Sequence, residues 1–123
     1  MGDVTKERFE EQFNFINPKS SNTYKIIVGV DEEKDIIVCN GTLVIERKFI
    51  RNCAACGHIE DIDVHPDYRK QGMGGVLMNI LAEIGKVNNC YKLILDCKEE
   101  LQKFYGPLGY EYKGVQLGKY KQE

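Results

Sequence analysis

One segment of the sequence has a composition suited to holding an anionic cofactor: the glycine loop, residues 69–75, which reads RKQGMGG. Glycines let several backbone amides point at one spot, and Arg69 and Lys70 add positive charge beside them. If a helix begins here, its unpaired amides and the positive end of its dipole complete a site for a phosphate group. The glycine loop therefore predicts a phosphate-bearing cofactor, although three glycines also suit a tight turn that only leads into a helix.

The spacing in this loop excludes two other phosphate-binding motifs. A Walker loop requires a lysine and a hydroxyl residue directly after its last glycine, and no such pair follows Gly75. The dinucleotide-binding fingerprint has three glycines at a different spacing. Nucleotide hydrolysis and hydride transfer are therefore not predicted.

Glu60 and Asp61 are adjacent carboxylates within a predicted strand. Neighbouring strand residues normally point to opposite faces of a sheet, so a regular strand would not direct both side chains at one ligand. A β-bulge would do so, and bulges are frequent beside active sites. The alternative is the ordinary surface role, in which a carboxylate pairs with a lysine or an arginine.

The five cysteines argue against both a disulfide framework and a metal site. They are odd in number and scattered, unlike the dense, even set of small secreted domains, and this favours a reducing, cytoplasmic location. Cys53, Cys56 and His58 have the spacing of half a zinc site, but no second close pair completes four ligands. The sequence therefore predicts no metal.

Composition and charge narrow the class of partner. With 123 residues, 42% hydrophobic and 29% charged, the chain has the size and composition of one globular domain, residues 1–123. A formal net charge of -2 and a pI near 5.8 provide no basic field for nucleic acid or an anionic membrane. No apolar stretch is long enough to span a bilayer. We expect no nucleic-acid partner and no membrane association.

The spacing of hydrophobic residues predicts the helices and strands that must position the glycine loop and the adjacent carboxylates. Residues 4–16 have apolar side chains at helical spacing, and the proline-containing segment 17–22 ends that helix. Two strands rich in Ile and Val, 24–30 and 35–46, flank a polar hairpin loop. The other predicted elements are a strand at 58–64, a helix at 74–87, a strand at 91–97 buried on both faces, a helix at 98–105 and an extended pair from Tyr110 onward.

This order predicts a mixed α/β (α+β) fold with a central mixed sheet flanked by helices. The first strands are antiparallel neighbours. The helix at 74–87 joins a parallel pair, because parallel strands need a long crossover connection. The glycine loop then lies between a strand and the start of this helix.

The pattern Arg69-x-x-Gly72-x-Gly74 resembles the acetyl-CoA diphosphate loop of the GNAT acetyltransferases. Within that superfamily, several further segments resemble the glucosamine 6-phosphate N-acetyltransferase family in order and spacing, over roughly residues 24–115. These segments are residues 45–48, 56–62, 90–92, 95–97, 104–105 and 109–110, with Asn89 standing where the family usually has a glycine.

The resemblance implies the GNAT acyltransferase fold and a cytoplasmic enzyme with acetyl-CoA as its cosubstrate. The implied reaction moves the acetyl group to the amine of glucosamine 6-phosphate and gives N-acetylglucosamine 6-phosphate and coenzyme A, on the route to UDP-N-acetylglucosamine. Transfer would proceed by direct attack of the amine in a ternary complex, without a metal. A homodimer is implied by the likeness alone.

The resemblance also implies roles for individual residues. The Tyr105 hydroxyl would donate a hydrogen bond to the sulfur of departing coenzyme A, the Asp96 backbone carbonyl would accept one from the amine, and Glu60 would help to orient that amine. The residues implied to bind the sugar phosphate are Lys48, Arg51, Glu60, Asp61, Asp96 and Lys119. The residues implied to bind acetyl-CoA are Ile62, Asp63, Val64, His65, Arg69, Lys70, Gln71, Gly72, Met73, Gly74, Gly75 and Tyr105.

Two features depart from the family pattern. An arginine near the C-terminus usually contacts the phosphate, whereas this chain has no arginine after Arg69, so Lys119 or Lys121 would substitute as point charges. Family members also carry a further strand and helix before the first helix seen here. We therefore expect a fold that lacks this usual N-terminal strand and helix, with either an altered sheet edge or a dimer that covers it.

Four other interpretations stay open. The missing C-terminal arginine favours a GNAT enzyme that acts on another amine, such as a protein lysine, a protein N-terminus or a polyamine. A non-catalytic acyl-CoA-binding module would be indicated by loss of Tyr105 or of the carboxylates, and neither is lost. A cysteine nucleophile activated by His58 or His65 is not needed for direct amine attack, and Tyr105 also suits packing against Phe104 and Tyr110.

Overall fold

A computed structural model gives the structure of residues 3–17 and 22–121. In chain order the helices and strands are α1 (Lys6–Ile16), β1 (Tyr24–Asp31), β2 (Ile36–Arg47), α2 (Ile50–Cys53), β3 (Ala55–Val64), α3 (Met73–Val87), β4 (Cys90–Ile94) and α4 (Gln102–Tyr105). Short 3₁₀ turns occupy Pro66–Tyr68, Glu99–Leu101 and Gly106–Leu108.

The strands form one mixed sheet in the order β1-β2-β3-β4. The pairs β1–β2 and β2–β3 are antiparallel, and β3–β4 is parallel with α3 as its crossover. The predicted mixed α/β layout is confirmed. The hairpin turn between β1 and β2 is closed by Asp31, whose Oδ1 accepts hydrogen bonds from the backbone amides of Glu33 and Lys34 at 3.1 and 3.3 Å.

The core lies between one face of this sheet and α3. Alternate residues of β2 and β3 point inward, so Leu43, Ile45 and Ile59 meet the apolar stripe of the helix. Leu77, Met78 and Leu81 form that stripe at helical spacing, and each is at most 3% exposed. Burial of each such side chain stabilises the fold by roughly 1.5–3 kcal/mol. This packing fixes where α3 begins, and therefore where the glycine loop lies.

The first helix is confirmed, but it does not pack into this core. Thr5 caps it, with the Thr5 Oγ1 atom accepting a hydrogen bond from the Arg8 amide at 3.2 Å. Phe9 and Phe13 stack on one another and stay more than half exposed, and no residue of the helix is buried. The helix ends at Ile16 as expected, while residues 18–21 of the predicted stop lie outside the described residues.

Three predictions for the C-terminal third are wrong in detail. The strand predicted at 91–97 is β4, Cys90–Ile94; it is the last strand of the described sheet, and Lys92 and Ile94 are exposed rather than buried. The helix predicted at 98–105 is a 3₁₀ turn followed by the single turn of α4. The extended pair predicted from Tyr110 is not present, because residues 110–121 form neither helix nor strand.

Within residues 3–17 and 22–121, no helix combines the length and the apolar character that crossing a bilayer requires.

Candidate active site

A β-bulge in β3 directs Glu60 and Asp61 to the same side. Thr42 of β2 pairs with Glu60 and Asn40 pairs with Asp63, so Asp61 and Ile62 both lie opposite Gly41. Asp61 has a φ of 55°, in the left-handed region that aspartate tolerates better than most residues. The strand therefore contains the kind of bulge that would let both carboxylates face one ligand.

Two residues of β2 support this bulge, and the sequence analysis singled out neither. The Asn40 side-chain amide donates a 2.8 Å hydrogen bond to the backbone carbonyl of Asp61. Gly41 leaves room for the displaced strand, because a Cβ at this position would lie 2.6 Å from Cδ1 of Ile62. An isolated glycine inside a strand pattern indicates a bulge, so Gly41 is the signal that could have identified this position and its neighbour Asn40.

Just before the bulge, β3 and β4 separate and leave a cleft. Their pairing ends at His58 and Ile94, so the β3 edge after His58 has no β4 partner in the described sheet. The cleft has a volume of about 740 Å³. Six residues implied by the family resemblance line it together: Glu60, Asp61, Ile62, Arg69, Asp96 and Tyr105.

The glycine loop enters α3 with the geometry expected of an anion site. Gly72 has a φ of 81°, and α3 begins at Met73 without a side-chain cap on its first amides. These amides lack intrahelical acceptors by the geometry of a helix start. A Cβ at Gly72 or Gly75 would meet no atom within 4 Å, so the space beside these two glycines is open. The loop can therefore accept a phosphate group.

Arg69 joins the glycine loop to the end of β3. Its Nε donates a 2.9 Å hydrogen bond to the Val64 carbonyl, and its Nη2 lies 3.8 Å from Oδ1 of Asp63. The guanidinium side chain is 59% exposed, so a ligand can still reach its remaining donors. Lys70 beside it has a positive φ of 64°.

His65 shapes the connection between β3 and the glycine loop. Its Nδ1 accepts a 3.1 Å hydrogen bond from the Asp67 amide and caps the 3₁₀ turn Pro66–Tyr68. Its ring meets Tyr68 edge to face, with 5.7 Å between ring centroids. The Tyr68 hydroxyl in turn donates to Asp31 in the hairpin turn. Tyr68 is a supporting residue that the sequence analysis did not identify.

Tyr105 both lines the cleft and packs against neighbouring rings. Its centroid is 4.8 Å from that of Phe104 and 6.1 Å from that of Tyr110, with edge-to-face geometry in both pairs. Burial raises the pKa of Tyr105, and the nearby Cys97 thiol raises it further. The phenol therefore stays protonated at neutral pH and can donate a hydrogen bond.

The start of α3 and the residue before Tyr105 are in direct contact. A Cβ at Gly74 would lie 3.0 Å from Cζ of Phe104, so the ring rests on the backbone of the glycine loop. Only glycine permits so close an approach without a shift of the ring.

Asp96 follows β4 at the opposite wall of the cleft. Its Oδ2 accepts a 3.1 Å hydrogen bond from the Gln116 side-chain amide, which ties the C-terminal segment to this wall. The Asp96 side chain is thus engaged, and its backbone carbonyl lies in the loop that borders the cleft.

The basic residues implied for the sugar phosphate do not line this cleft. Lys48 pairs with Glu46 at 3.2 Å, and the Arg51 guanidinium lies 5.2 Å from the centroid of the Tyr91 ring. Lys119 belongs to the exposed segment after Tyr110.

The short element α2 is strained. Arg51, Asn52 and Cys53 have φ values of 54°, 59° and 60°. Each non-glycine residue in this left-handed region costs about 1–3 kcal/mol, and such strain is concentrated at functional sites.

Known proteins match this arrangement. Residues 3–110 match the model of the acetyltransferase (GNAT) family. Glucosamine 6-phosphate N-acetyltransferase 1 of Dictyostelium discoideum is 49% identical over 116 residues, which cover 94% of this chain and 73% of that protein. Glucosamine 6-phosphate N-acetyltransferase of Arabidopsis thaliana is 37% identical over 119 residues, covering 97% of this chain and 79% of that protein.

The solved structures agree with the sequence comparison. The crystal structure of glucosamine-6-phosphate N-acetyltransferase from Arabidopsis thaliana has a TM-score of 0.91 to this chain at 36% identity. The match covers 99% of this chain and 82% of that one. With the family model, the relatives and the fold in agreement, the chain belongs to the GNAT acetyltransferase family.

Proposed function

We propose that this chain transfers the acetyl group of acetyl-CoA to the amine of glucosamine 6-phosphate, giving N-acetylglucosamine 6-phosphate and coenzyme A. One observation carries the proposal: the two bulge carboxylates, Asp96 and Tyr105 line a single cleft that also includes Arg69 of the glycine loop. The names of the similar proteins from Dictyostelium and Arabidopsis support the choice of substrate.

Acetyl-CoA would bind with its diphosphate on the amides of the glycine loop and on Arg69 and Lys70. Gln71, Met73 and the three glycines would supply the backbone contacts. The extended part of the cofactor would then follow the open edge of β3 at Ile62, Asp63 and Val64, where β4 no longer pairs. This path leads from the loop shaped by His65 toward Tyr105.

The sugar would bind on the other side of the thioester. Glu60 and Asp61 would hold its polar groups, and the Asp96 carbonyl would accept a hydrogen bond from the amine. The neutral amine nitrogen attacks the thioester carbonyl carbon, so a carbon–nitrogen bond forms and the carbon–sulfur bond breaks. Glu60 would help to orient the amine, and the excess amine proton leaves to solvent. The Tyr105 hydroxyl would donate a hydrogen bond to the departing thiolate.

The sugar phosphate requires cations from outside the cleft lining, and we assign these to Lys48, Arg51 and Lys119. The strained turn around Arg51 supports a functional role for that residue. Lys119 lies in a segment whose apolar residues are largely exposed, Val115 at 80% and Leu117 at 91%. We propose that two copies associate through this segment, so that Lys119 from a second copy reaches the cleft.

Light scattering of the purified chain tests the homodimer. We expect a mass of two chains, and we expect Leu117→Asp to shift the equilibrium toward one. A wild-type chain that is monomeric at high concentration would contradict both the dimer and the phosphate contact from Lys119 of a second copy, but not the acetyl transfer.

We place the enzyme in the cytoplasm, with residues 1–123 acting as one domain on the route to UDP-N-acetylglucosamine. All five cysteines are free thiols, which suits a reducing compartment. Direct amine attack on a thioester does not require a metal.

Release of free thiol from acetyl-CoA tests the substrate. The pure chain is incubated with acetyl-CoA and, in separate reactions, glucosamine 6-phosphate, glucosamine, spermidine and a lysine-containing peptide. We expect rapid thiol release with glucosamine 6-phosphate and much slower release with unphosphorylated glucosamine. If thiol is released only with the peptide or only with spermidine, the proposed substrate is wrong and the assignment to the GNAT family stands. Calorimetry with coenzyme A shows whether the cofactor still binds when no thiol is released, and so distinguishes a wrong substrate from a wrong cofactor site.

A further inference from the structure

Three side chains with different metal-binding chemistry converge on the sheet face opposite α3. Glu46 of β2 pairs with Cys56 of β3, and His58 lies two residues further along β3 on the same face. The carboxylate, thiol and imidazole ligand atoms all lie within 4.8 Å of one another. None of the three belongs to the cleft described above.

The cluster is protected on one side and open on the other. Cys56 is only 1% exposed, whereas the side chains of His58 and Glu46 are 31% and 48% exposed. The open side faces a shallow concavity of about 350 Å³, which is lined by Val44, Glu46, His58 and Glu60. A cation held by the three atoms would therefore keep one coordination position that solvent can reach.

We propose that Glu46, Cys56 and His58 form a binding site for a borderline-soft divalent cation, with Zn²⁺ as the best fit. Imidazole nitrogen, thiolate sulfur and carboxylate oxygen are the three donor types that zinc uses in proteins. Three protein ligands and one open position are the arrangement of zinc sites that retain a water. This proposal does not rest on the acetyl transfer proposed above, although Lys48 and Glu60, which we assign to substrate binding there, adjoin the cluster.

The contacts that Glu46, Cys56 and His58 now make can be replaced by bonds to a cation. His58 Nε2 and Glu46 Oε1 are 2.9 Å apart, so the ring and the carboxylate already face each other. Burial raises the pKa of the Cys56 thiol, and the bound cation would displace the thiol proton to solvent. Lys48 now pairs with the same Glu46 oxygen at 3.2 Å, and its flexible stem lets the ammonium turn away when a cation binds.

The site escaped the sequence analysis because its third ligand comes from the neighbouring strand. The local spacing suggested Cys53 as a partner of Cys56, but Cys53 lies in the strained turn of α2 and is exposed. The antiparallel pairing of β2 with β3 places Glu46 beside Cys56 instead.

Cobalt titration of untagged, metal-free protein tests the proposal. A thiolate-to-cobalt charge-transfer band in the near ultraviolet should appear and saturate at one equivalent, and zinc should abolish it by competition. Cys56→Ser should remove the band. His58→Gln and Glu46→Gln should each weaken zinc binding by at least about tenfold, the lower end of what loss of supporting groups costs at metal sites.

Exposed cysteines outside the cluster provide the matched controls. Cys53→Ser and Cys97→Ser should keep the band and the zinc affinity of the wild type. If Cys56→Ser does not fold, the more exposed His58→Gln and Glu46→Gln variants decide the question. Absence of a band in the wild type, full zinc affinity in both of these variants, or loss of the band in Cys53→Ser would overturn the proposal.

Discussion

Tyr68 donates a 2.5 Å hydrogen bond from its hydroxyl to Oδ2 of Asp31, and this bond ties the segment before the glycine loop to the β1–β2 hairpin. The two residues are far apart in sequence. The bond lowers the pKa of Asp31 and raises the pKa of Tyr68. It therefore links the stability of this part of the fold to pH at both ends of the scale.

We expect Tyr68→Phe to lower the free energy of unfolding within a defined pH window. The bond requires an ionised Asp31 and a neutral Tyr68, whose unperturbed pKa values are 3.8 and 10.0. Its contribution is complete between these values. It is lost as pH falls through the lowered pKa of Asp31 or rises through the raised pKa of Tyr68. Urea denaturation at acidic, neutral and alkaline pH measures the difference between the two proteins.

Tyr24→Phe is the control, because the Tyr24 ring packs against Phe15 and is distant in sequence from the glycine loop. The effect of Tyr24→Phe on the free energy of unfolding should not vary over the pH window expected for Tyr68→Phe. A Tyr68→Phe difference that stays constant from acid to alkaline pH would count against a coupled Tyr68–Asp31 pair.

Tyr105→Phe should lower kcat by about a hundredfold if the hydroxyl assists the departing thiolate, within the range typical of a positioned proton donor. Coenzyme A affinity should change little, because the ring keeps its contacts with Phe104 and Tyr110. Steady-state kinetics and calorimetry measure the two quantities. Tyr110→Phe removes a hydroxyl whose pKa is likewise raised by burial and serves as the control. Equal kcat in wild type and Tyr105→Phe would leave Tyr105 with a packing role only.

Asn40→Ala should loosen the bulge that presents Glu60 and Asp61. The lost bond to the Asp61 carbonyl should cost about 1 kcal/mol of stability. The larger expected effect is a fall in kcat/KM for the amine substrate with little change in coenzyme A affinity. Asn40→Asp tests the same bond, because a carboxylate cannot donate to a carbonyl. Wild-type kinetics in both variants would show that the bulge does not need this hydrogen bond.

Gly41→Ala should destabilise the fold by about 1–3 kcal/mol, the usual cost of overpacking a core. Gly41 lies on β2 opposite the bulge, and the added Cβ would be 2.6 Å from Cδ1 of Ile62 and 3.1 Å from Cδ1 of Leu81. Thermal and urea unfolding measure the loss. Gly106→Ala is the control, because a Cβ at that position meets no atom within 4 Å. Equal stability of Gly41→Ala and wild type would mean that the bulge can shift at no cost.

The sequence identified the parts of the site that depend on local chemistry. Two adjacent carboxylates in one strand can face one ligand only across a bulge, and a bulge is present at Asp61. The glycine loop required a strand before it and a helix after it, and both are present. Short-range backbone rules were sufficient for these features.

Features that depend on distant contacts were not predictable in the same way. The apolar composition of β4 suggested burial on both faces, but its outer face is exposed in the described sheet. Whether a strand is covered is decided by other elements, not by its own residues. The roles of Asn40 and Gly41 likewise depend on the register between β2 and β3, which residue spacing within either strand does not reveal.

The contact between the Phe104 ring and Gly74 joins the start of α3 to the short helix that carries Tyr105. A ligand that orders the first turn of α3 would therefore also restrict the motion of α4, which carries Tyr105 next to Phe104. When the diphosphate of acetyl-CoA binds as proposed, it would lie against this same turn, so cofactor binding and the position of the Tyr105 hydroxyl would be coupled through one van der Waals contact.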